Sequence, residues 1–348
     1  MSETMNESRE YFESNGVTFY YVRNKDYHRA KICNDIDVEP GVKEVTFEFD
    51  SIGTYELMDS GKVFPEVKTL NINKWGRTLR IPNGMFPNVT KVKTDKYGSY
   101  YKSGCMLVND KGVLQNTFHP DSDVIDLKGV SVIDNGSFAG CQATKFINSG
   151  SVKQCRKQAF KGSAIEKMPV PAGGALMVGS IIVDIDKNAA DIVMPDTRQA
   201  ISTIREGLDY RNIQSITFNK IQSFVNVQER IPERIKIILK ETGFIGHDMI
   251  DFWTQSKASC LELCDENPYY KTIDGALFTN DGTVLIKYPS SRAGHYDIPE
   301  GTTTIASRAF YSCELSSVTI PSSMRQILPK AFAECKKLSS VDIRDGWY

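Results

Sequence analysis

Residues 305–343 repeat themselves. Ile305, Phe310 and Cys313 recur 22 residues later as Ile327, Phe332 and Cys335, whereas Val318 and Ile320 recur after 23 as Val341 and Ile343, one residue having entered before Leu338. A period in this range marks stacked units. Each is too small to bury its own apolar face, so the core grows along the stacking axis, and the usual link between chain length and domain number is lost.

The same register runs through much of the chain. Phe64, Pro65, Val67, Leu70 and Ile72 align with Phe86, Pro87, Val89, Val92 and Thr94 at an offset of 22, and Ile133 and Phe138 align with Cys155 and Phe160 at the same offset. Phe160, Ser163, Ile165, Met168, Val170 and Pro171 match Phe310, Cys313, Leu315, Val318, Ile320 and Pro321 at a constant offset of 150. Within a unit the alternation of Leu70 and Ile72 with Thr69 and Asn71 is that of a strand with one face buried. One strand per repeat predicts a parallel sheet whose outward side chains line a long surface.

A second kind of unit interrupts the register. Short apolar runs flank Asn109-Asp110-Lys111-Gly112 and again Asn280-Asp281-Gly282, which is hairpin chemistry. A weaker copy, Gly174-Ala175-Leu176-Met177, stands 101 residues before Gly275-Ala276-Leu277-Phe278. Residues 1–14 read as a mobile tail, and 15–40 as a cap shielding the first repeat. Residues 219–259 leave the period and carry helix-like spacing at Ile245, Met249, Ile250 and Trp253, which reads as an insertion or as irregular repeats. The expected organisation is therefore tail and cap over 1–40, repeats with hairpins over 41–218, an irregular or helical insertion over 219–259, and repeats over 260–348.

The recurring pattern, an apolar residue, four others, Phe-x-x-Cys-x-x-Leu-x-x-Val-x-Ile-Pro, resembles the BspA-type leucine-rich repeat over roughly residues 41–348 with a gap in the middle. The resemblance implies an α/β class of fold: a curved leucine-rich-repeat solenoid with one parallel strand per repeat of about 22–23 residues and β-hairpin inserts. It also implies protein interaction as the function. Ser163 in place of Cys and the missing Phe of the middle repeats depart from the pattern. So does the lack of the export signal many relatives carry.

Lys and Arg number 42 against 43 Asp and Glu, so no global field draws the chain to nucleic acid or to an anionic membrane. The first ten residues hold no apolar h-region, and the longest apolar run, 175–183, is too short to span a bilayer. A cytoplasmic location is the expectation. Cys141, Cys313 and Cys335 each follow a Phe by three residues, which favours packed thiols under reducing conditions over a disulfide framework.

Catalytic and cofactor signatures are weak. The glycines of 173–179 fit a hairpin better than a dinucleotide loop, and His28, His119, His247 and His295 are scattered. Cys260 and Cys264 lack a second pair for zinc. Asp121 with Asp123, and Asp184 with Asp186, could hold a cation, but Asp184 and Asp186 read more simply as solvent-facing carboxylates beside an inward Ile185. No cofactor, no metal and no catalytic residue is expected.

What remains is a surface. Its outward positions are Glu44, Thr46, Glu48, Thr69, Asn71, Lys91, Lys93, Lys145, Lys167, Ser317 and Thr319, running from acidic through neutral and basic to neutral. Such a gradient can orient a protein partner; a merely solvated face is the alternative reading. The expected function is a non-catalytic interaction scaffold, with an adhesin or receptor-like module for a host protein or glycan as the alternative. The strand 341–343 with Trp347 and Tyr348 offers a further edge for docking.

Overall fold

A strand that alternates apolar and polar residues buries one face only if a neighbour covers it, and here each repeat supplies that neighbour to the next. The computed structural model describes residues 10–23, 31–49, 52–58, 60–73, 79–82, 84–94, 100–103, 106–109, 111–118, 123–246 and 260–345. They fall into two units, one of residues 1–169 with 205–207 and one of 170–204 with 208–348.

In the first unit, Glu44–Glu48, Thr69–Asn73 and Lys91–Thr94 form a parallel sheet in which Val45, Leu70 and Val92 stand opposite one another. All three are fully buried. Val124–Asp126 and Lys145–Ile147 form a similar parallel pair. The second unit repeats the arrangement with Asp191–Val193, Ser215–Phe218, Lys236–Leu239 and Cys260–Leu263, and then with Gly294–Asp297, Leu315–Ile320 and Ser340–Ile343. These are the front ladders.

Each unit also has a second ladder that the repeat pattern did not announce as strand. Val113–Thr117, Val132–Ile133 and Gln154–Cys155 pair in parallel, as do Val284–Lys287, Thr304–Ile305 and Gln326–Ile327. The apolar residue five positions before each repeat Phe is the rung: Ile133, Cys155 and Ile305 are fully buried. One repeat thus gives two short strands rather than one. Helix is scarce: among the described residues the α-helix Ile221–Val227 stands beside three short 3-10 turns.

The phenylalanines stack between repeats, Phe138 on Phe160 at 5.0 Å and Phe310 on Phe332 at 4.7 Å between centroids. The thiols three residues on are free and packed, with Cys141 and Cys313 both 2% exposed. Burial raises both, and pushes the Cys313 thiol up to about 12. Cys335 Sγ donates to the Phe310 carbonyl at 2.8 Å, so the thiol also ties one repeat to the one before it.

All three expected hairpins are present: Met106–Asn109 with Val113–Thr117, Ala175–Val178 with Ile181–Ile185, and Ala276–Thr279 with Val284–Lys287. Each slips register immediately after the same leucine, Leu107, Leu176 or Leu277. A bulge recurring at one position is a built feature of the unit. At the turns, Asn109 Oδ1 accepts the Lys111 and Val113 N–H groups, and Asp281 Oδ1 accepts that of Thr283.

Three expectations are corrected. Residues 10–14 are not a tail: Glu10–Ser14 pairs antiparallel with Val17–Arg23 through a turn at Asn15 and Gly16, both with positive φ, while 1–9 lie outside the described residues. Residues 236–239 are not an insertion, because Lys236–Leu239 pairs in parallel with both neighbouring front strands. Ile245 is buried, whereas Met249, Ile250 and Trp253 lie outside the described residues. Lys167 is not on a strand: it ends the 3-10 turn Ile165–Lys167. Ser163, standing where Cys stands elsewhere, donates to the Phe160 carbonyl at 2.6 Å and accepts the Glu166 N–H at 3.4 Å, which turns the chain locally. Among the described residues no helix is long and apolar enough to cross a membrane.

Candidate binding surface

The alternation that buries Val45, Phe47, Leu70, Ile72 and Val92 leaves Glu44, Thr46, Glu48, Thr69, Asn71, Lys91 and Lys93 on the outward face of the first front sheet, half-buried or exposed. Their register makes rows across the strands: Glu44, Thr69 and Lys91 in one, Thr46, Asn71 and Lys93 in the next. The rows do not carry separate charges. Asn71 Nδ2 donates to Glu44 and, at 3.1 Å, to Thr46 Oγ1, and Lys93 Nζ reaches Glu44 Oε1 at 3.1 Å. The Asn71 amide first, and then the Lys93 ammonium, hold the Glu44 carboxyl below its usual range. Acid and base are thus partly spent on each other.

The next pair of front strands departs from a uniformly polar face. Lys145 is exposed as expected, but Val124 beside it is 39% exposed and Ile147, two residues on, is 49% exposed. In the second unit, Val193 is 48% exposed and shares a row with Thr217, the half-buried Ile238 and Glu262. Sequence reasoning passed over these residues. The alternation that selected Lys145 points equally to Ile147, which is the signal that could have found it.

Ser317 and Thr319 lie outward on Leu315–Ile320 and meet His295, one of the four scattered histidines. His295 Nδ1 lies 2.8 Å from Ser317 Oγ, while its Nε2 lies 3.2 Å from Thr319 Oγ1 and 3.3 Å from Asp297 Oδ2. Arg344 extends the cluster, reaching Asp297 at 3.4 Å and Glu300 at 3.1 Å. The Thr319 hydroxyl, with His295 and Arg344 behind it, keeps the Asp297 carboxyl below its usual range.

A hydroxyl, an imidazole and a carboxylate in contact invite comparison with a hydrolytic triad. The geometry here is that of an open sheet. Ser317 sits in mid-strand with neighbours on both sides, so nearby backbone N–H groups serve the ladder instead of converging on an oxyanion. His295 is 45% and Asp297 59% exposed, so both side chains are open to water. The cluster suits polar recognition better than acyl transfer.

Of the paired aspartates, Asp184 lies beside the buried Ile185 and its carboxylate accepts the Ile185 N–H. Asp186 is engaged by the Gly173 and Asn188 N–H groups. His28, His119, His247, Asp121, Trp347 and Tyr348 lie outside the described residues.

The stacked parallel ladders define a leucine-rich-repeat solenoid in each unit, and a chain so built is a repeat-based binding module. The model of the BspA type leucine rich repeat region matches 6 copies over residues 121–229 and 288–347, so these segments are BspA-type leucine-rich repeats. Among solved structures, the chain is similar to the pneumococcal vaccine antigen PcpA, with 17% identity, 97% of this chain and 71% of that one covered, and a TM-score of 0.27. It is also similar to a leucine-rich repeat protein from Eubacterium ventriosum, with 14% identity, coverage of 95% and 70%, and a TM-score of 0.25. No curated protein matches the chain.

Proposed function

We propose that the protein is a non-catalytic interaction scaffold that meets a protein partner on the outward face of its front sheets. The observation that supports this reading is the exposure of Val124, Ile147 and Val193 at positions where solubility alone favours polar residues. Diagonal neighbours on adjacent strands lie close enough to act together, and Val124 and Ile147 are such neighbours across the Lys145 and Asp126 rungs. Apolar side chains inside a polar rim have the anatomy of a protein contact surface. The polar outward groups, Lys145 opposite Val124 and Ser317 and Thr319 on their own sheet, supply register and specificity more than affinity.

The test is recovery of a stoichiometric partner from an extract of the source cells, using the full chain and the variants Ile147→Asp and Val193→Asp. Both residues are about half exposed, so melting temperature stays within a few degrees while the partner is lost. A partner retained in full by both variants overturns the reading.

A further inference from the structure

Phe244 is 70% and Tyr269 51% exposed, and their rings meet edge to face at 5.7 Å with planes 89° apart. Exposed aromatics normally owe their position to a flexible loop. Here a buried amide fixes it. Asn267, 1% exposed, donates from Nδ2 to the Glu241 carbonyl at 2.7 Å and to the Gly243 carbonyl at 3.2 Å. Its Oδ1 accepts the N–H groups of Tyr269 and Tyr270, both at 2.9 Å. One side chain thereby clamps the stretch before Phe244 to the stretch that carries Tyr269. The Tyr270 hydroxyl adds a bond to the Ile245 carbonyl at 3.2 Å. Ordering of an aromatic pair before any ligand arrives removes much of the entropy cost of binding there.

The surrounding charge says what the pair would take. Over residues 240–246 and 264–271 the ionisable side chains, apart from Cys264 and the tyrosines, are Lys240, Glu241, Asp265, Glu266 and Lys271: three carboxylates against two ammonium groups, an acidic balance. Asp265 and Glu266 are exposed, and Glu241 Oε1 lies at the neck of the loop, accepting the Gly243 N–H at 3.1 Å. Aromatic faces attract cations through the ring quadrupole, and a rim of carboxylates adds to that attraction.

We propose that Phe244 and Tyr269 form a preorganised site for an arginine-bearing segment of a partner protein, the guanidinium lying on the exposed rings and the acidic rim holding it there. The proposal does not rest on the outward sheet face, so either reading can fail without the other. A labelled peptide of alternating arginine and glycine, and its isosteric citrulline counterpart, are titrated onto the full chain at physiological ionic strength. The arginine peptide binds about tenfold more tightly than the neutral one. Phe244→Ala with Tyr269→Ala, or Glu241→Lys with Asp265→Lys and Glu266→Lys, each removes that preference, while Ile147→Asp preserves it. Equal binding of the two peptides overturns the proposal, as does undiminished binding by the double alanine variant or no binding of the arginine peptide. Asn267→Asp, which keeps the acceptor and loses the donors, weakens arginine-peptide binding and raises exchange of the Tyr269 and Tyr270 amides together. Weakened binding with unchanged exchange overturns the clamp.

Discussion

Phe310 and Phe332 stack with their ring planes 9° from parallel. The residues are 22 apart in sequence, so the offset read from the chain is the stacking vector of the solid. Phe138 and Phe160 repeat the contact with planes 5° apart. Phe310 is fully buried, and its removal leaves a cavity flanked by rings on both sides. Phe310→Ala lowers the unfolding free energy by about 3–5 kcal/mol in denaturant titration, and Phe332→Ala, only partly buried, by less.

The residue two positions after Phe138, Phe160, Phe310 and Phe332 carries positive φ: 78° at Gly140, 77° at Gly162, 58° at Ser312 and 60° at Glu334. The N–H of the following Cys or Ser bonds back to the Phe carbonyl. Nothing lies within 4 Å of a Cβ built on Gly140, so Gly140→Ala tests backbone strain alone. It destabilises by about 1 kcal/mol, whereas Ser312→Gly and Glu334→Gly leave stability unchanged or raise it by up to about 1 kcal/mol. Thermal melts of the set separate the two signs.

Lys93 and Glu44 form an exposed pair at 3.1 Å, so reversing Lys93 alone sets two carboxylates together. Lys93→Glu lowers the unfolding free energy by about 0.5 kcal/mol, and Lys93→Glu with Glu44→Lys restores it. Loss of Glu44 ionisation acts in the same direction. Its folded pKa is depressed, so its contribution is present above the usual carboxylate range and is lost as pH falls through the folded value. The acid limb of the stability profile is therefore shallower in Glu44→Gln.

Burial pushes the Cys33 and Cys313 thiols up to about 12 from their usual 9.0. The folded chain keeps them neutral while the unfolded chain ionises them, so stability is unaffected below pH 9 and falls as pH rises from there towards 12. Cys313→Ala flattens that alkaline limb. At pH 8 neither thiol reacts with a water-soluble disulfide reagent until the chain unfolds, and mass mapping of labelled peptides shows this directly.

Much of the fold was legible because the period and the alternation are local. Leu70 and Ile72 announce their strand, and Asn280-Asp281-Gly282 announces its turn, without reference to anything distant. The second ladder was not legible, since rungs such as Thr304–Ile305 are two residues long and show no alternation. Lys236–Leu239 was hidden by its surroundings: Ile237 and Leu239 alternate correctly, but the departure of neighbouring residues from the period outweighed them. The charge gradient was half legible. Glu44 and Lys93 do face outward, yet a reading of single positions could not show that Asn71 and Lys93 converge on the one carboxylate.

That these units stack, and which side chains point inward, follows from the order of residues alone, because an apolar period too short to close its own core has only the next copy to bury against. Tertiary structure alone decided which outward groups meet. Residues as far apart as His295 and Ser317, or Asn267 and Gly243, come together only when repeats settle at one spacing and register. Contact between them depends on distances that no single repeat contains.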